Sequence, residues 1–213
     1  MNYYPAYLDL RGRPCLVIGG GVVAERKTLS LLEAGAVVTV LSPTLTPKLR
    51  TLADSGAISH AQKTFEEQDL SPAFLVIAAT NDARVNSSVA QACRNKRILV
   101  NSVMTPEESS FIVPSVVERG DLVIAVSTSG ASPALARKLR QELETTYGPE
   151  YGLFLAKLSA LRTRVLEEIP EESKRRAIFQ AIVDSDVLDL LHQGKTHAAE
   201  LRMAEIAGLK PRP

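Results

Sequence analysis

The sequence has no tryptophan, and aromatic residues make up only 5% of its 213 positions. A surface that stacks nucleic-acid bases is built from such rings. An excess of one charge sign is also lacking, because 25 basic and 24 acidic residues leave a net charge of +1. Nucleic-acid-binding domains carry a marked basic excess, so we expect no nucleic-acid partner.

Cysteine and long apolar runs are equally scarce. The two cysteines, Cys15 and Cys93, lie in apolar segments, which favours buried thiols in a reducing cytoplasm over a disulfide. No apolar run approaches the roughly 18–20 residues that span a bilayer. The N-terminal segment contains Asp9 and shows no signal-peptide pattern. We therefore expect a cytoplasmic protein without a membrane partner.

What is present is an average globular composition, with 45% apolar and 23% charged residues. At roughly 150 residues per domain, the length allows one large domain or a domain with an appendage. In the first half, short apolar runs alternate with segments of helical spacing, which predicts βαβ units and a parallel sheet buried on both faces. The predicted strands are 15–18, 37–41, 74–78 and 98–100, the helices are 22–34 and 82–95, and 52–69 is expected to hold a helix end, a strand near 57–61 and a loop.

The pattern changes after Pro106. Two β-rich runs, 111–117 and 122–126, flank the sequence Glu-Arg-Gly-Asp at 118–121, which is typical of a hairpin turn. This hairpin is apolar, and a short chain cannot cover both of its faces. We therefore expect it to pair across a dimer interface.

The remainder of the chain is predicted to be helical. Ser132 is the expected N-cap and Pro133 the first residue of a helix. The later breaks fall at Gly148-Pro149, Ile169-Pro170, Ser185 and Gly194. We therefore predict an α/β domain at 1–113, a dimerisation segment of hairpin plus helix at 114–149 and an α-helical C-terminal domain at 150–213.

A glycine-rich turn follows the first predicted strand. Gly19-Gly20-Gly21-Val22-Val23-Ala24 fits the pattern G-x-G-x-x-A. Gly19 permits a tight turn, Gly21 leaves room for a pyrophosphate at the helix N-terminus, and Ala24 lets the helix pack on the strand. Because the turn follows a strand, opens a helix and leads to a second strand, it predicts a Rossmann dinucleotide-binding site.

Two further strand ends supply candidate cofactor contacts. Where an acid usually bonds the ribose after the second strand, this chain has Ser42-Pro43-Thr44, which offers hydroxyl or backbone contacts. No arginine follows to receive a 2′-phosphate, so the sequence favours NAD over NADP. After a later strand, Thr80 and Asn81 are candidate contacts. The alternative, that Asn81-Asp82 caps the next helix, is compatible with this role.

The ordered motifs resemble those of the precorrin-2 dehydrogenase family, which includes stand-alone enzymes and the N-terminal part of sirohaem synthase. The segments that carry the resemblance are Cys15–Lys27, Glu33–Ala36, Ala78–Asp82 with Val85-Asn86, Ser110–Pro114 and Ser127–Pro133 with Ala136-Arg137. The resemblance implies a homodimer of subunits that each have an NAD-binding Rossmann domain, a dimerisation segment and a helical domain. It also implies oxidation of precorrin-2 to sirohydrochlorin with reduction of NAD⁺, in sirohaem or related tetrapyrrole biosynthesis. The chain is too short to hold the methyltransferase module of the multifunctional enzyme as well, so that module is not expected.

The implied substrate is a polycarboxylate, which favours hydrogen-bond donors and basic groups in its site. The candidate substrate-binding residues precede the helix at Pro133 and are Ser127, Thr128, Ser129, Gly130 and Ser132. Arg137, Lys138 and Arg140 follow on the next turns. The alternative is a capped helix with a solvated basic face.

One position departs from the family. Members usually have Asn-x-x-Asp before Phe-Ile-x-Pro, with the aspartate as the proposed acid/base or metal-handling residue. Here Asn101 is kept but Met104 occupies the acidic position, and these two are the candidate catalytic residues that the resemblance implies. A thioether neither accepts a proton near neutral pH nor serves as a hard ligand for Fe²⁺, although it can pack on a flat macrocycle. Hydride transfer is expected to persist and ferrochelation to be lost, unless Asp82, Glu107 or Glu108 takes over. The alternative is a non-catalytic NAD(H)- or tetrapyrrole-binding protein.

His60, His192 and His197 show no metal-ligand spacing, so no metal site is expected.

Overall fold

A computed structural model describes residues 3–210 and divides the chain into two compact units, one up to Val113 and one from Pro114. The first unit contains a five-stranded parallel sheet with the strand order β3-β2-β1-β4-β5. Its strands are β1 Pro14–Ile18, β2 Val37–Leu41, β3 Ser59–Ala61, β4 Leu75–Ala78 and β5 Leu99–Ser102. Its α-helices are α1 Val22–Glu33, α2 Pro47–Asp54 and α3 Ala83–Lys96, and short 3₁₀ turns cover Glu67–Leu70 and Pro106–Glu108. The predicted Rossmann α/β architecture is confirmed.

The alternating side chains of the strands divide the core into two layers. Cys15 and Val17 of β1 pack in one cluster with Ala24 of α1 and Leu49 of α2. Leu16 and Ile18 pack on the other face with residues of α3 such as Val89. Since both faces are covered, the central strands are continuous apolar runs, as parallel sheets require.

Both cysteines lie inside these layers as free thiols, as the sequence predicts. Burial raises the pKa of Cys15 to about 11 and that of Cys93 to about 12. Thiols with such values are weak nucleophiles at neutral pH, so neither is a candidate reactive group.

The segment after β5 corrects one predicted boundary. The strand expected at 111–117 begins only at Ser115. The preceding residues are tied to β5 instead, because the Ser110 hydroxyl accepts a hydrogen bond from the Val100 amide and Phe111 packs against the core of the first unit. Serine hydroxyls hold this segment in place of the strand pairing that its β-rich composition predicts.

The second unit begins with an antiparallel hairpin of β6 Ser115–Arg119 and β7 Leu122–Val126. Its turn is shorter than predicted, because Arg119 pairs with Leu122 and Gly120 adopts a φ of 58°. The helices that follow are α4 Pro133–Thr146, α5 Glu150–Glu168, α6 Glu172–Val183, α7 Val187–His192 and α8 Thr196–Ala207. All four predicted helix breaks are confirmed.

A separate apolar cluster holds α5 to α8 together, with Phe154, Val165, Ile182 and Met203 among its buried members. The N-terminus of α4 is capped as predicted, since the Ser132 hydroxyl accepts a hydrogen bond from the Leu135 amide at 3.2 Å. Among residues 3–210, no helix is both long and apolar enough to cross a membrane.

Candidate functional site

A cleft of about 730 Å³ lies at the carboxyl edge of the sheet in the first unit. It is bordered by the residues that follow β1, β2, β3, β4 and β5, which is where open α/β sheets bind ligands. Its lining includes ten predicted cofactor residues, namely Gly19, Gly20, Gly21, Val22, Val23, Ser42, Pro43, Thr44, Thr80 and Asn81. Met104, the residue at the predicted catalytic position, also lines the cleft.

Each of the three glycines in the turn after β1 has a different environment. Gly19 has a φ of 122°, and a Cβ there would overlap the carbonyl of Ala79. A Cβ on Gly20 would overlap the Thr44 carbonyl oxygen, whereas one on Gly21 would meet no atom within 4 Å. The first two glycines are therefore required by the fold, and the third leaves space open on the cleft side.

The N-terminus of α1 fits a pyrophosphate. Gly21 is the N-cap in an extended conformation, and no side chain caps the helix. Val22 and Val23 are exposed at this end, with 76% and 37% of their surfaces accessible. Free amides and a helix dipole at an uncovered N-terminus favour an anion, so these residues are able to hold the diphosphate of a dinucleotide.

The loop after β2 is fixed to the glycine turn. The Thr46 amide donates to the Gly20 carbonyl at 2.9 Å, and the Thr46 hydroxyl donates to Glu25 Oε2 of α1 at 2.6 Å. His60 Nε2 lies 2.9 Å from the Ser42 carbonyl oxygen. Ser42 is buried and Thr44 exposed, so the loop presents Pro43 and Thr44 to the cleft from a rigid base.

The turn after β4 serves two roles. The Thr80 hydroxyl donates to Asn86 Oδ1 at 2.8 Å, and Asp82 Oδ1 accepts from the Arg84 amide at 2.8 Å, which caps α3. The capping alternative is therefore confirmed for Asp82. It is not confirmed for Asn81, which stays exposed in the cleft wall, while the Thr80 hydroxyl is engaged within the turn.

The end of β5 separates the two residues predicted as catalytic. Met104 is 51% exposed and lines the cleft. Asn101 is not part of that lining; its side-chain amide donates to the Phe111 carbonyl at 3.1 Å. The retained asparagine thus holds the segment after β5 in place.

The neighbouring acids differ in their access to the cleft. Glu108 accepts a hydrogen bond from the Thr105 hydroxyl at 2.7 Å, and hydrogen bonds from Thr105 and then Ser87 hold its pKa below the usual value. Glu107 and Glu108 lie in the short helical turn expected for them, outside the cleft lining. Among the described residues that line the cleft, Asp82 is the only carboxylate.

Sequence reasoning missed the polar and aromatic lining residues that follow β3, namely Lys63, Thr64 and Phe65. The strand has only three residues and was anticipated without a firm boundary. Because β3 lies beside β2 in the sheet, its C-terminal end reaches the same edge. A strand predicted there would have marked the residues just after it as candidate contacts.

The predicted substrate loop lies in the second unit and makes several internal hydrogen bonds. The Ser127 hydroxyl accepts from the Ser129 amide at 3.0 Å, and Thr128 Oγ1 accepts from the Ser132 amide at 3.1 Å. Ser129 and Gly130 have φ values of 51° and 87°. The loop therefore has a defined shape, with Ser129 and Gly130 exposed at its tip.

The basic residues after this loop are mostly paired on the surface of α4. Lys138 pairs with Glu142 at 3.8 Å, and Arg140 pairs with Glu144. Arg137 is exposed and makes no ion pair with any residue from 3 to 210. Across the same residues, no group of three or more histidine, cysteine, aspartate or glutamate side chains is placed to hold a metal ion.

Three family descriptions match consecutive parts of the chain. Residues 6–115 match a putative NAD(P)-binding family, residues 119–146 match the central region of sirohaem biosynthesis proteins, and residues 150–206 match the sirohaem synthase dimerisation region. The first match alone covers more than half of the chain and confirms that the first unit is an NAD(P)-binding domain.

Individual proteins show the same relationship. The chain is 43% identical to a siroheme synthase from Methylococcus capsulatus over 217 residues, and 40% identical to one from Salmonella arizonae over 188 residues. It spans less than half of these relatives, 46% and 41% of their lengths. The solved structure of SirC, precorrin-2 dehydrogenase, matches 95% of this chain and 100% of its own chain, with 28% identity and a TM-score of 0.79.

Proposed function

Because this chain belongs to the NAD(P)-binding sirohaem biosynthesis family, we propose that it is an NAD-dependent dehydrogenase that oxidises precorrin-2 to sirohydrochlorin. The observation that carries the proposal is the overlap with SirC, which extends over the whole of that chain and most of this one. The sirohaem synthases that it also resembles are longer proteins, whereas SirC is matched from end to end.

The proposed reaction removes a hydride and a proton from the macrocycle. When bound, NAD⁺ supplies the hydride acceptor, and the proton leaves to a base or to water. The chain's contribution is to hold the dinucleotide at the N-terminus of α1, to fix the ribose loop after β2, and to present Asn81 and Met104 at the β4 and β5 ends of the cleft. These groups orient the reactants, NAD⁺ takes the hydride, and water is able to take the proton.

Met104 supports a dehydrogenase that does not insert metal. Its thioether lies where the family places an acid, and it is half exposed at the cleft. It offers an apolar, polarisable contact to a flat macrocycle but no hard ligand for Fe²⁺. We therefore propose that ferrochelation is left to another protein.

We further propose that the protein works as a homodimer with the division 1–113, 114–149 and 150–213, the middle part forming the interface. The match of residues 150–206 to a dimerisation region supports association but lies in the C-terminal part. An interface in the middle part is supported by its exposed apolar residues Val116, Leu135 and Leu139. Light scattering at micromolar concentration is expected to give about twice the 23.1 kDa chain mass. A stable monomer would contradict the dimer without affecting the proposed reaction.

The substrate contacts and the compartment are also proposals. Ser127, Thr128, Ser129, Gly130 and Ser132 are proposed to meet the substrate carboxylates, supported by the exposed tip of their loop. Two buried, unpaired thiols support a reducing, cytoplasmic environment.

A second candidate is a protein that binds NAD(H) or a tetrapyrrole without turnover, and the loss of the acid at Met104 favours it. One assay separates the two. Precorrin-2 generated without oxygen is mixed with NAD⁺ and the full chain, and sirohydrochlorin absorbance and NADH are followed. Protein-dependent formation of both in equal amounts is expected; NAD binding without turnover would instead establish the second candidate. Addition of Fe²⁺ or Co²⁺ to sirohydrochlorin tests metal insertion separately, and no rate above the uncatalysed one is expected.

A further inference from the structure

The cleft lacks the usual group that distinguishes NAD from NADP. In Rossmann domains an acid at the end of the second strand bonds the ribose hydroxyls and disfavours a 2′-phosphate. Here β2 ends at Leu41 and is followed by Ser42, Pro43 and Thr44, none of which is charged. Discrimination between the two dinucleotides needs another source.

Lys63 is the only cationic side chain among the described residues that line the cleft. Strand β3 pairs with β2 in parallel, with Ala61 beside Leu41, so Lys63 follows β3 by two residues just as Pro43 follows β2. A free ammonium at this edge would attract a 2′-phosphate. Taken alone, this residue would predict a preference for NADP.

The ammonium of Lys63 is already engaged. Its Nζ donates to Glu66 Oε2 at 2.9 Å and to Asp69 Oδ1 at 3.0 Å. The Glu66 amide donates in turn to Asp69 Oδ2 at 2.8 Å, which ties the two acids into one turn. Hydrogen bonding to Glu66 and then to Asp69 raises the pKa of Lys63, and the bond from Lys63 lowers the pKa of Glu66. One cation and two carboxylates leave the cluster with a net charge of −1.

On the basis of the dinucleotide-binding function proposed above, we propose that the Lys63–Glu66–Asp69 cluster determines cofactor specificity and excludes NADP. A phosphomonoester carries about 1.5 to 2 negative charges near neutral pH, and here it would meet a net negative cluster whose only cation has no donor to spare beyond one N–H. A neutral 2′-hydroxyl is not repelled. Glu66 and Asp69 lie just outside the cleft lining and act on it through Lys63, in place of the acid that Rossmann domains put after β2.

The test is a charge series measured as binding to the full chain, without turnover. The wild-type cluster has charge −1, the triple variant Lys63→Met/Glu66→Gln/Asp69→Asn has charge 0, and the double variant Glu66→Gln/Asp69→Asn has charge +1. Calorimetric titration with NADP⁺ is expected to show affinity rising along this series, by roughly tenfold or more from wild type to the double variant. Affinity for NAD⁺ is expected to change by less than about threefold, since its ribose carries no charge at the 2′ position.

Amide replacements keep hydrogen-bond acceptors in the turn, and thermal unfolding checks that each variant is folded. Glu171→Gln, which breaks an exposed ion pair with Lys174 in the second unit, is the matched control and is expected to leave both affinities unchanged. Raising the salt concentration should reduce the gain of the double variant, because exposed charges are screened. If wild type binds NAD⁺ and the folded double variant gains no affinity for NADP⁺, the specificity proposal fails while the proposed function stands. If wild type binds neither dinucleotide, the proposed function itself fails.

Discussion

The two ends of the cleft in the first unit contrast sharply. At the β1–β2 end, several contacts hold the backbone. Gly19 and Gly20 fit against backbone carbonyls, and Thr46 ties the loop after β2 to the glycine turn. At the β5 end, the backbone is equally well held, but the side chain that it presents is Met104 in place of an acid. On the proposed function, this contrast means that different residues determine cofactor binding and proton transfer, so one can change without the other.

The largest effect is expected from substitution of Gly20 by alanine. The added Cβ would overlap the Thr44 carbonyl oxygen, and a backbone atom cannot move aside as a flexible side chain would. Overpacking of this kind costs about 3 kcal/mol, so Gly20→Ala should lower the free energy of unfolding by that amount and abolish NAD binding. Chemical denaturation and calorimetric titration measure the two effects.

Gly21→Ala is the matched control, because a Cβ there meets no atom within 4 Å. It should change stability by less than about 1 kcal/mol yet weaken NAD binding by about tenfold or more, since the methyl group enters the proposed pyrophosphate space. Equal stability losses in the two variants would contradict the description of the β1–β2 end.

Met104→Asp should restore chemistry at the other end of the cleft. A positioned general base contributes roughly 10²- to 10⁴-fold where it is used, and we expect about a tenfold increase in kcat, because orientation at this position is set for the macrocycle rather than for proton transfer. Steady-state production of NADH from precorrin-2 measures it. Met104→Leu keeps the apolar contact and should leave kcat within about twofold. If Asp and Leu behave alike, this position does not limit the reaction.

The β1–β2 end was the more predictable from sequence. Its glycine pattern and the strands beside it are local signals, because a positive φ and a short apolar run each depend on a few neighbouring residues. The same holds for the N-cap of α4 at Ser132 in the second unit. The positions after β3 were not predicted. Lys63 reaches the cleft only because a three-residue strand pairs with β2, and such pairing is a long-range event without a local pattern.

The segment after β5 was harder for a related reason. Propensity placed a strand from 111, but the hydroxyls of Ser109 and Ser110 bond the backbone of β5 and bring Phe111 into the first core. Asn101 is a candidate catalytic residue because of the motif in which it stands, and that role stays a prediction. Its side-chain amide donates to the Phe111 carbonyl, a contact that could be inferred only from the folded chain.

A smaller effect is expected at Thr46, which joins the ribose loop to α1. Thr46→Val removes the hydrogen bond to Glu25 and the cap bond from the Leu49 amide, which should cost about 1–2 kcal/mol of stability. Calorimetric titration should show NAD affinity falling by about three- to tenfold, since the loop is no longer held to the glycine turn. Thr46→Ser retains the hydroxyl and should behave nearly as wild type. An unchanged affinity in Thr46→Val would show that the Thr46 side-chain bonds are not needed to hold the loop.

The smallest effect is expected at Asp82, and it is the strictest test of the contrast. Asp82 is the only carboxylate among the described cleft-lining residues, so it is the one group positioned to take over the proton at the β5 end. Its cap bond to the Arg84 amide is preserved by Asp82→Asn, because asparagine caps helices about as well as aspartate. If water accepts the proton, kcat should fall by less than about threefold and its pH profile should keep its shape. A loss of about 10²-fold, together with a changed pH profile, would mean that the general base is Asp82 in the turn after β4. The acid would then have moved along the cleft rather than been lost from it.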